Sequence, residues 1–323
     1  MLALSPDLDP AQEHPEDVFA SALQMADRGQ RVALAIVTAT EGGAVRAPGA
    51  MMAVSEAGDA AGYVSGGCID ADLIGQAQRA LHTGHIETLR YGMGSPFVDL
   101  RLPCGGAIDV LIWPMPDQAI LREAKTKLQS REPVQLVLGL DGLVDLQAAR
   151  HRKTGWAGER LVLQYQPKLK LRFAGKGAEI VALSRVAAAC NLPITVQSPD
   201  VLRDLEQLDH PSLKRVALQT PLDVPANDDD RWTAFVLMFH DTDWETALLA
   251  DALAGPAFFV GAVGSRATQA KRRAQLIEAG VPEADVDRIR GPIGLVPSLR
   301  DASLLAVSAL AQIIEAHKDL ETA

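Results

Sequence analysis

The sequence predicts an α/β protein with two domains, an N-terminal α/β domain over residues 1–168 and a doubly wound parallel-sheet domain over residues 169–323. Length is the first observation behind this prediction, because 323 residues exceed the usual size of a single domain. The second is that apolar runs alternate with helical stretches from Leu171 onward, which is the pattern of a parallel sheet. The third is that glycine-rich turns separate the apolar runs before that point, so the pattern changes near residue 168.

Apolar periodicity defines the elements of the first domain. The predicted helices are Pro15–Arg28, Ile69–Thr83 and Gln118–Gln129. The predicted strands are Val32–Thr38, Ala50–Ser55, Ala61–Val64 and Ala107–Trp113. Between the second and third strands, Gly58-Asp59 indicates a hairpin-like turn. Short β-like runs from Val134 to Tyr165 are broken by glycines and are assigned to the same domain.

The second domain has strands and helices in alternation, so its strands should lie parallel, with helices on both faces of the sheet. The predicted strands are Leu171–Ala174, Ile194–Gln197, Arg215–Leu218, Ala234–Phe239 and Ala257–Val260. The predicted helices are Glu179–Cys190, Asp243–Ala254, Ala267–Ala279 and Asp301–His317. This alternation brings the loops after the strands to one edge of the sheet, where ligands of such folds usually bind.

Composition argues against several classes of protein. The formal net charge is -10, and such a surface repels a phosphate backbone, so we expect no nucleic-acid partner. No apolar run approaches the roughly 18 residues that a membrane span needs. Three cysteines are too few for a disulfide framework, and the acidic N-terminus lacks the features of a signal peptide. We therefore expect a cytoplasmic location, where free thiols stay reduced.

Gly175-Lys176-Gly177 lies between a predicted strand and a predicted helix, as in a dinucleotide-binding loop whose N–H groups approach phosphate. The fingerprint is incomplete, because Ile180 replaces its third glycine and the next strand has no acid at its end. Binding of NAD(P) and a plain tight turn therefore both remain open. His240-Asp241 should lie at the same edge, where His240 either contacts a ligand or bonds only to polar neighbours.

A second glycine loop at this edge contains Gly264-Ser265-Arg266. Ser265 is suited to cap the next helix, whose free N–H groups attract anions, and Arg266 carries donors that fit phosphate oxygens. The same predicted helix continues with Lys271, Arg272 and Arg273. This cluster in an acidic protein indicates either an anion site or an ordinary capped helix with a solvated basic face.

Two cysteines lie in glycine-rich turns, Ser65-Gly66-Gly67-Cys68 and Cys104-Gly105-Gly106. Cys68 opens a predicted helix, where a thiol has a lowered pKa because the helix dipole favours the thiolate, whereas Cys104 precedes a predicted strand. Two such thiols could converge on a soft metal or a sulfur-bearing ligand, whereas zinc is disfavoured because no second Cys or His stands at ligand spacing. The alternative is that both are small buried residues beside structural turns. Cys190 is predicted to be core.

The motifs of both domains together resemble those of the XdhC/CoxI family, the xanthine dehydrogenase accessory proteins. The segments that carry the resemblance are Gly42–Met52, Gly62–Ile69, Cys104–Gly106, Phe259–Arg266 and Arg288–Leu295. The resemblance implies an N-terminal XdhC/CoxI-type domain followed by a Rossmann-like domain. It also implies a chaperone that binds molybdenum cofactor, guards it from oxidation and supports its sulfuration by a cysteine desulfurase. The implied recipient is a molybdenum hydroxylase of the xanthine dehydrogenase type.

The resemblance further implies roles for individual residues. Cys68 and Cys104 become candidates to contact molybdenum or its dithiolene, and Ser265 and Arg266 become candidates to bind the pterin phosphate. The candidate set for the cofactor is Arg46, Ser65, Gly66, Gly67, Cys68, Cys104, Gly105, Gly106, Gly175, Gly177, His240, Asp241, Gly264, Ser265 and Arg266. The chain departs from the family pattern at Asp70, where Glu is common, and after Leu295, where Val296-Pro297 begins a different continuation.

No complete acid–base or nucleophilic constellation is visible, so the sequence favours an accessory factor with no catalytic residues over an enzyme. An NAD(P)-dependent oxidoreductase that uses the second domain is the alternative. A regulatory module that binds only a partner protein is a third hypothesis. A homodimer is expected, because closed twofold assemblies are the commonest.

Overall fold

The computed structural model describes residues 12–43, 46–67, 69–95, 105–142, 144–149 and 153–322. The chain divides into two compact units, Met1–Pro167 and Lys168–Ala323. Separate clusters of buried apolar side chains form the cores of each unit. Within the described ranges, no helix combines the length and the apolar composition that crossing a membrane requires.

Unit 1 contains an antiparallel sheet whose strands are β1 Val32–Glu41, β2 Met51–Ser55, β3 Ala60–Gly62, β4 Glu87–Gly92 and β5 Ala107–Pro114. Their order across the sheet is β3-β2-β1-β5-β4. Central β1 is buried on both faces, with Leu34 and Ile36 in one core and Ala35 and Val37 in the other. Because side chains alternate between the faces of a strand, burial on both faces explains its unbroken apolar run.

The helices of unit 1 are α1 Pro15–Asp27, α2 Asp70–Thr83 and α3 Gln118–Gln129. α1 and α3 share the core that contains Leu34, whereas α2 covers the opposite face of the sheet. Asp117 caps α3 by accepting a hydrogen bond from the Ala119 N–H at 2.7 Å. The helices that periodicity predicts in this unit are confirmed to within one residue at each end.

A second antiparallel sheet in unit 1 has the strands β6 Val134–Gly139, β7 Val144–Ala148, β8 Gly155–Ala157 and β9 Arg160–Tyr165. Their order is β7-β6-β9-β8. Leu136, Leu163 and Tyr165 enter the core formed by α1 and α3, which joins this sheet to the rest of the unit. The predicted β-like runs in this segment are therefore strands.

Unit 2 contains a parallel sheet whose strands are β10 Lys170–Gly175, β11 Ile194–Ser198, β12 Leu213–Ala217, β13 Thr233–Met238, β14 Phe259–Ala262 and β15 Ile289–Arg290. Their order is β12-β11-β10-β13-β14-β15. Numbered from the start of the unit, this is 3-2-1-4-5-6, the order of dinucleotide-binding folds, with a topological switch point between β10 and β13.

The helices of unit 2 are α4 Ala178–Ala189, α5 Val201–Asp204, α6 Glu245–Ala254, α7 Arg266–Glu278, α8 Glu283–Val286 and α9 Ala302–Thr322. α4 and α9 pack in the core of Phe173, on one face of the sheet. α6 and α7 pack in the core of Phe235, on the other face. Helices on both faces confirm the prediction of a doubly wound sheet.

The prediction that Cys190 lies in the core is wrong. Cys190 is exposed and follows the last residue of α4. The buried residues of α4 include Ile180, Leu183 and Ala187, so its inward stripe is complete before the chain reaches the cysteine. The alanine-rich composition around Cys190 therefore reflects a helix end and not a buried face.

Candidate functional site

Loops of unit 1 meet at one end of the five-stranded sheet. β1 ends and β5 begins there, because Glu41 pairs with Ala107. β4 also ends there, since Gly92 pairs with Ala107, and β3 ends beside the start of β2, where Gly62 pairs with Met52. Gly42, Tyr63 and Met93, which follow β1, β3 and β4, and Gly106, which precedes β5, therefore lie at this edge, which we call the glycine-loop end.

Two glycines at this edge differ in what surrounds them. A Cβ atom on Gly106 would overlap the carbonyl oxygen of Glu41 and would lie 3.2 Å from the Gly43 nitrogen. A Cβ atom on Gly105 would meet none of the described residues within 4 Å, although its φ of +68° still favours glycine. Gly106 is therefore needed for packing against the loop after β1, whereas no described residue crowds Gly105.

The turn Ser65-Gly66-Gly67 is held by the carboxylate of Asp70, the first residue of α2. Asp70 Oδ1 accepts hydrogen bonds from the N–H groups of Val64 and Ser65, both at 3.1 Å, and Oδ2 accepts one from Gly67. Ser65 Oγ in turn accepts from the Ile69 N–H at 3.0 Å. Asp70 is fully buried. This carboxylate fixes the backbone of the loop, a role that sequence reasoning missed although an acid at a helix start was visible.

Arg46 lies beside the start of this turn. Its guanidinium stacks on the Tyr63 ring, with Cζ 4.6 Å from the ring centroid, and Nη1 forms an ion pair with Glu13. Tyr63 Oη donates to the same Glu13 carboxylate at 2.9 Å. Burial raises the pKa of Tyr63, and the hydrogen bond to Glu13 raises it further. The structure thus brings predicted Arg46 close to predicted Ser65 through Tyr63, which sequence reasoning did not single out.

Cys68 and Cys104 lie outside the described residues, so their convergence stays a prediction. In the chain, Cys68 stands between Gly67 and Ile69, and Cys104 stands directly before Gly105. Within the described part of the chain, no group of three or more His, Cys, Asp or Glu side chains is arranged to hold a metal ion. The predicted metal contact therefore depends on these two cysteines.

In unit 2, Gly175 ends β10 and Gly177 precedes α4, as the sequence predicts. A Cβ atom on Gly175 would lie 2.7 Å from the Met238 carbonyl oxygen, so close packing of β10 and β13 requires this glycine. The Gly177 N–H donates to Asp204 Oδ2 at 3.1 Å. A carboxylate of the protein therefore stands where a nucleotide phosphate would bind in a dinucleotide loop, which weighs against NAD(P) at this position.

His240 and Asp241 follow β13 at the switch point. His240 Nε2 lies 3.1 Å from Glu179 Oε1 in the first turn of α4, so this pair bridges the loops on the two sides of the switch point. The His240 side chain is largely exposed. Asp241 Oδ1 accepts from the Asp243 N–H at 3.2 Å and caps the turn that leads into α6. Both residues thus have partners within unit 2.

The predicted cap at α7 is confirmed. Ser265 Oγ accepts a hydrogen bond from the Thr268 N–H at 3.2 Å. Gly264 has a φ of +117°, and a Cβ atom there would lie 2.9 Å from Thr268 Cγ2, so the turn requires glycine. Arg266, the first residue of α7, is exposed. The loop is therefore a capped helix start with one exposed arginine.

The two arginines of the basic cluster on α7 have different surroundings: Arg272 forms a buried ion pair, and Arg273 forms ion pairs at the surface. Arg272 is 2% exposed, donates from Nε to Glu245 Oε2 at 2.8 Å and also donates to the Val263 carbonyl at 3.1 Å. Arg273 pairs with Glu283 and Asp287. The sequence predicts that these arginines bind an anionic ligand or face solvent. This is wrong for Arg272, which pairs with Glu245 and holds the buried side of α7 against α6.

Comparisons with known proteins agree with this architecture. Residues 25–92 match the family model described as the XdhC and CoxI family, and residues 171–313 match the one described as the XdhC Rossmann domain. An Escherichia coli (strain K12) protein described as the molybdenum cofactor insertion chaperone PaoD is 30% identical over 285 residues, 88% of this chain and 83% of that protein.

A solved structure provides a second comparison. A crystal structure described as a xanthine dehydrogenase from Bacillus halodurans is similar with a TM-score of 0.74, covering 93% of this chain and 96% of that chain. The two sequences are 22% identical, so this likeness concerns the fold.

Proposed function

Because the chain belongs to the XdhC and CoxI family, we propose that it binds molybdenum cofactor as cargo and passes it to a molybdoenzyme apoprotein. The observation that carries this proposal is the similarity along most of the chain to a molybdenum cofactor insertion chaperone. The described loops support ligand binding, because they offer a backbone fixed by Asp70 and an arginine held against Tyr63.

The proposed cargo site lies at the glycine-loop end of unit 1. There Cys68 and Cys104 contact molybdenum or the dithiolene, since thiolates suit soft metals and sulfur-rich ligands. A Cβ atom on Gly67 or Gly105 would meet no described residue within 4 Å, and this supports close approach of a ligand to the backbone. Arg46 and the turn Ser65-Gly66-Gly67 line the same edge.

The finer steps of the role are also proposals. We propose that a cysteine desulfurase sulfurates the cofactor while the chain holds it, and that the recipient is a molybdenum hydroxylase of the xanthine dehydrogenase type. Separately from the unit 1 site, Ser265 and Arg266 in unit 2 are proposed to bind a phosphate group, because a capped helix start and a guanidinium both favour oxyanions. We further propose that the chain works as a homodimer in the reducing cytoplasm.

Cofactor loading tests the proposal. Wild type, Cys68→Ala, Cys104→Ala and Cys190→Ala are loaded under anaerobic conditions, freed of unbound cofactor and assayed for retained pterin by its fluorescence after oxidation. We expect at least one of the first two variants to retain about tenfold less cofactor than wild type, which corresponds to about 1.4 kcal/mol of binding free energy. Circular dichroism verifies that each variant is folded.

The exposed thiol of Cys190 provides the matched control, because it lies at the end of α4 in unit 2 and has no part in the proposed site. Cys190→Ala should retain cofactor like wild type. Equal retention in all variants would show that the thiols do not hold the cargo. A wild-type chain that retains no pterin would contradict the chaperone role itself.

A further inference from the structure

Three residues from distant parts of unit 1 form a cluster at the glycine-loop end. Glu13 precedes α1, Arg46 lies between β1 and β2, and Tyr63 follows β3. Arg46 Nη1 and Tyr63 Oη both bind the same oxygen, Oε2 of Glu13. One carboxylate oxygen therefore ties the segment before α1 to the loop edge.

The contact with Glu13 involves only one nitrogen of the Arg46 guanidinium, Nη1. Its Nε is buried and has no hydrogen-bond partner among the described residues. An arginine binds an oxyanion best with two parallel N–H donors, one of which is often Nε. Arg46 is thus fixed over the Tyr63 ring with a donor that no described residue accepts, although a buried N–H group normally finds an acceptor.

A second arginine–glutamate pair of unit 1 shows what a complete structural pair looks like. At the opposite end of the same sheet, Arg31 donates from Nε to Glu56 Oε2 at 2.8 Å and from its backbone N–H to Oε1 at 3.0 Å. Its Nη1 also donates to the Leu81 carbonyl at 3.0 Å. Both carboxylate oxygens of Glu56 are used, whereas the Arg46 pair uses only Oε2 of Glu13.

The two side chains of the Arg46–Glu13 pair differ in their exposure to solvent. The Glu13 side chain is 43% exposed, while that of Arg46 is 20% exposed. Glu13 can therefore move into water at little cost, because partly exposed ion pairs contribute little free energy. Arg46 stays in place through its contact with Tyr63. An anion that replaced Glu13 would still neutralise the positive charge of Arg46.

We propose that Arg46 is an oxyanion-binding residue, that Glu13 occupies its guanidinium in the empty protein, and that a phosphate of the cargo displaces Glu13 on loading. The last clause rests on the proposed function. The first two are independent of it, because they concern only the exchange of one oxyanion for another on Arg46. No covalent step is involved.

Inorganic phosphate is the probe for the exchange. Its binding is measured by isothermal titration calorimetry with wild type, Glu13→Gln, Arg46→Gln and the control Glu56→Gln. The control removes the same charge from an arginine–glutamate pair at the far end of the sheet. We expect Glu13→Gln to bind phosphate about twofold to fivefold more tightly than wild type, the equivalent of a weak ion pair. Arg46→Gln should lose the binding, and Glu56→Gln should match wild type.

Either of two results would overturn the exchange: phosphate affinity that is the same in Glu13→Gln and wild type, or phosphate affinity in Arg46→Gln that equals that of wild type. A competition arm separates free phosphate from cargo phosphate. If phosphate slows anaerobic cofactor loading of wild type but not of Arg46→Gln, the assignment to the cargo is supported. If phosphate binds through Arg46 without affecting loading, that assignment is wrong. If no cofactor loads at all while the exchange persists, the proposed function fails and the exchange stands.

Discussion

The glycine-loop end of unit 1 and the carboxyl end of the parallel sheet in unit 2 differ in how their donors are used. In unit 2, carboxylates of the protein bind two of the groups that would attract an anion, since Asp204 accepts from the Gly177 N–H and Glu245 pairs with Arg272, which leaves the exposed Arg266. In unit 1, Glu13 pairs with Nη1 of Arg46, but no described residue crowds Gly105 and none bonds to Arg46 Nε. Glycine loops and basic residues therefore indicate a binding site only when their donors remain available.

The largest effect should follow from breaking the buried pair of unit 2. Arg272→Met leaves the Glu245 carboxylate, 2% exposed, without its cation, which costs about 3–5 kcal/mol of unfolding free energy. Urea unfolding of the full chain measures this loss. Arg273→Met is the matched control, because Arg273 lies on the same helix. Its ion pairs are exposed and should contribute no more than about 1 kcal/mol to the free energy of unfolding. Equal losses in the two variants would mean that Arg272 is not a structural residue.

A smaller effect is expected from Asp70→Asn in unit 1. The amide keeps one acceptor oxygen, but its NH2 group faces a backbone N–H that a carboxylate oxygen now satisfies. Loss of charge-assisted hydrogen bonds should lower the unfolding free energy by about 2 kcal/mol. Hydrogen exchange of the Val64, Ser65 and Gly67 amides should also become faster, since these are the groups that Asp70 binds.

Asp117→Asn tests whether this loss is specific to the loop. Asp117 also accepts a backbone N–H, but it does so as the cap of α3, where asparagine serves about equally well. This control should unfold like wild type and leave exchange at the glycine-loop end unchanged. Unchanged exchange in Asp70→Asn would show that other contacts hold the turn.

The smallest effect concerns nucleotide binding by unit 2. Because Asp204 already occupies the Gly177 N–H, wild type should bind NADH no better than roughly millimolar. Asp204→Ala frees this donor and should improve affinity by at most about tenfold, as measured by equilibrium dialysis. Asp209→Ala removes an exposed carboxylate a few residues further along the chain, and it should leave affinity unchanged. Micromolar binding by wild type would instead favour the oxidoreductase hypothesis.

The sequence predicts most of the parallel sheet because its strands are buried on both faces and therefore appear as apolar runs between helices. It does not reveal β4, whose residues include Glu87 and Arg90 and which lies at the edge of its sheet. An edge strand buries less of its surface, so its apolar signal is weak. The two-residue β15 and the four-residue α5 and α8 are too short to produce a periodic pattern.

The candidate site is predicted less completely, because its decisive contacts join residues far apart in the chain. The cap at Ser265 depends on a neighbour three residues away, so local reasoning finds it. The pairing of Arg272 with Glu245 spans 27 residues, and that of Arg46 with Glu13 spans 33. The sequence shows where these arginines stand in the chain, but only the fold determines which carboxylate pairs with each of them.

The anchoring of the Ser65-Gly66-Gly67 turn by Asp70 has a consequence for the speed of loading. A loop that must first order itself loses conformational entropy on binding and slows the encounter, whereas a loop already fixed by internal hydrogen bonds avoids that cost. Asp70 accepts hydrogen bonds from three backbone N–H groups of this turn, so the backbone is already ordered before a ligand binds. Under the proposed function, capture of the cargo should therefore not wait for this turn to fold.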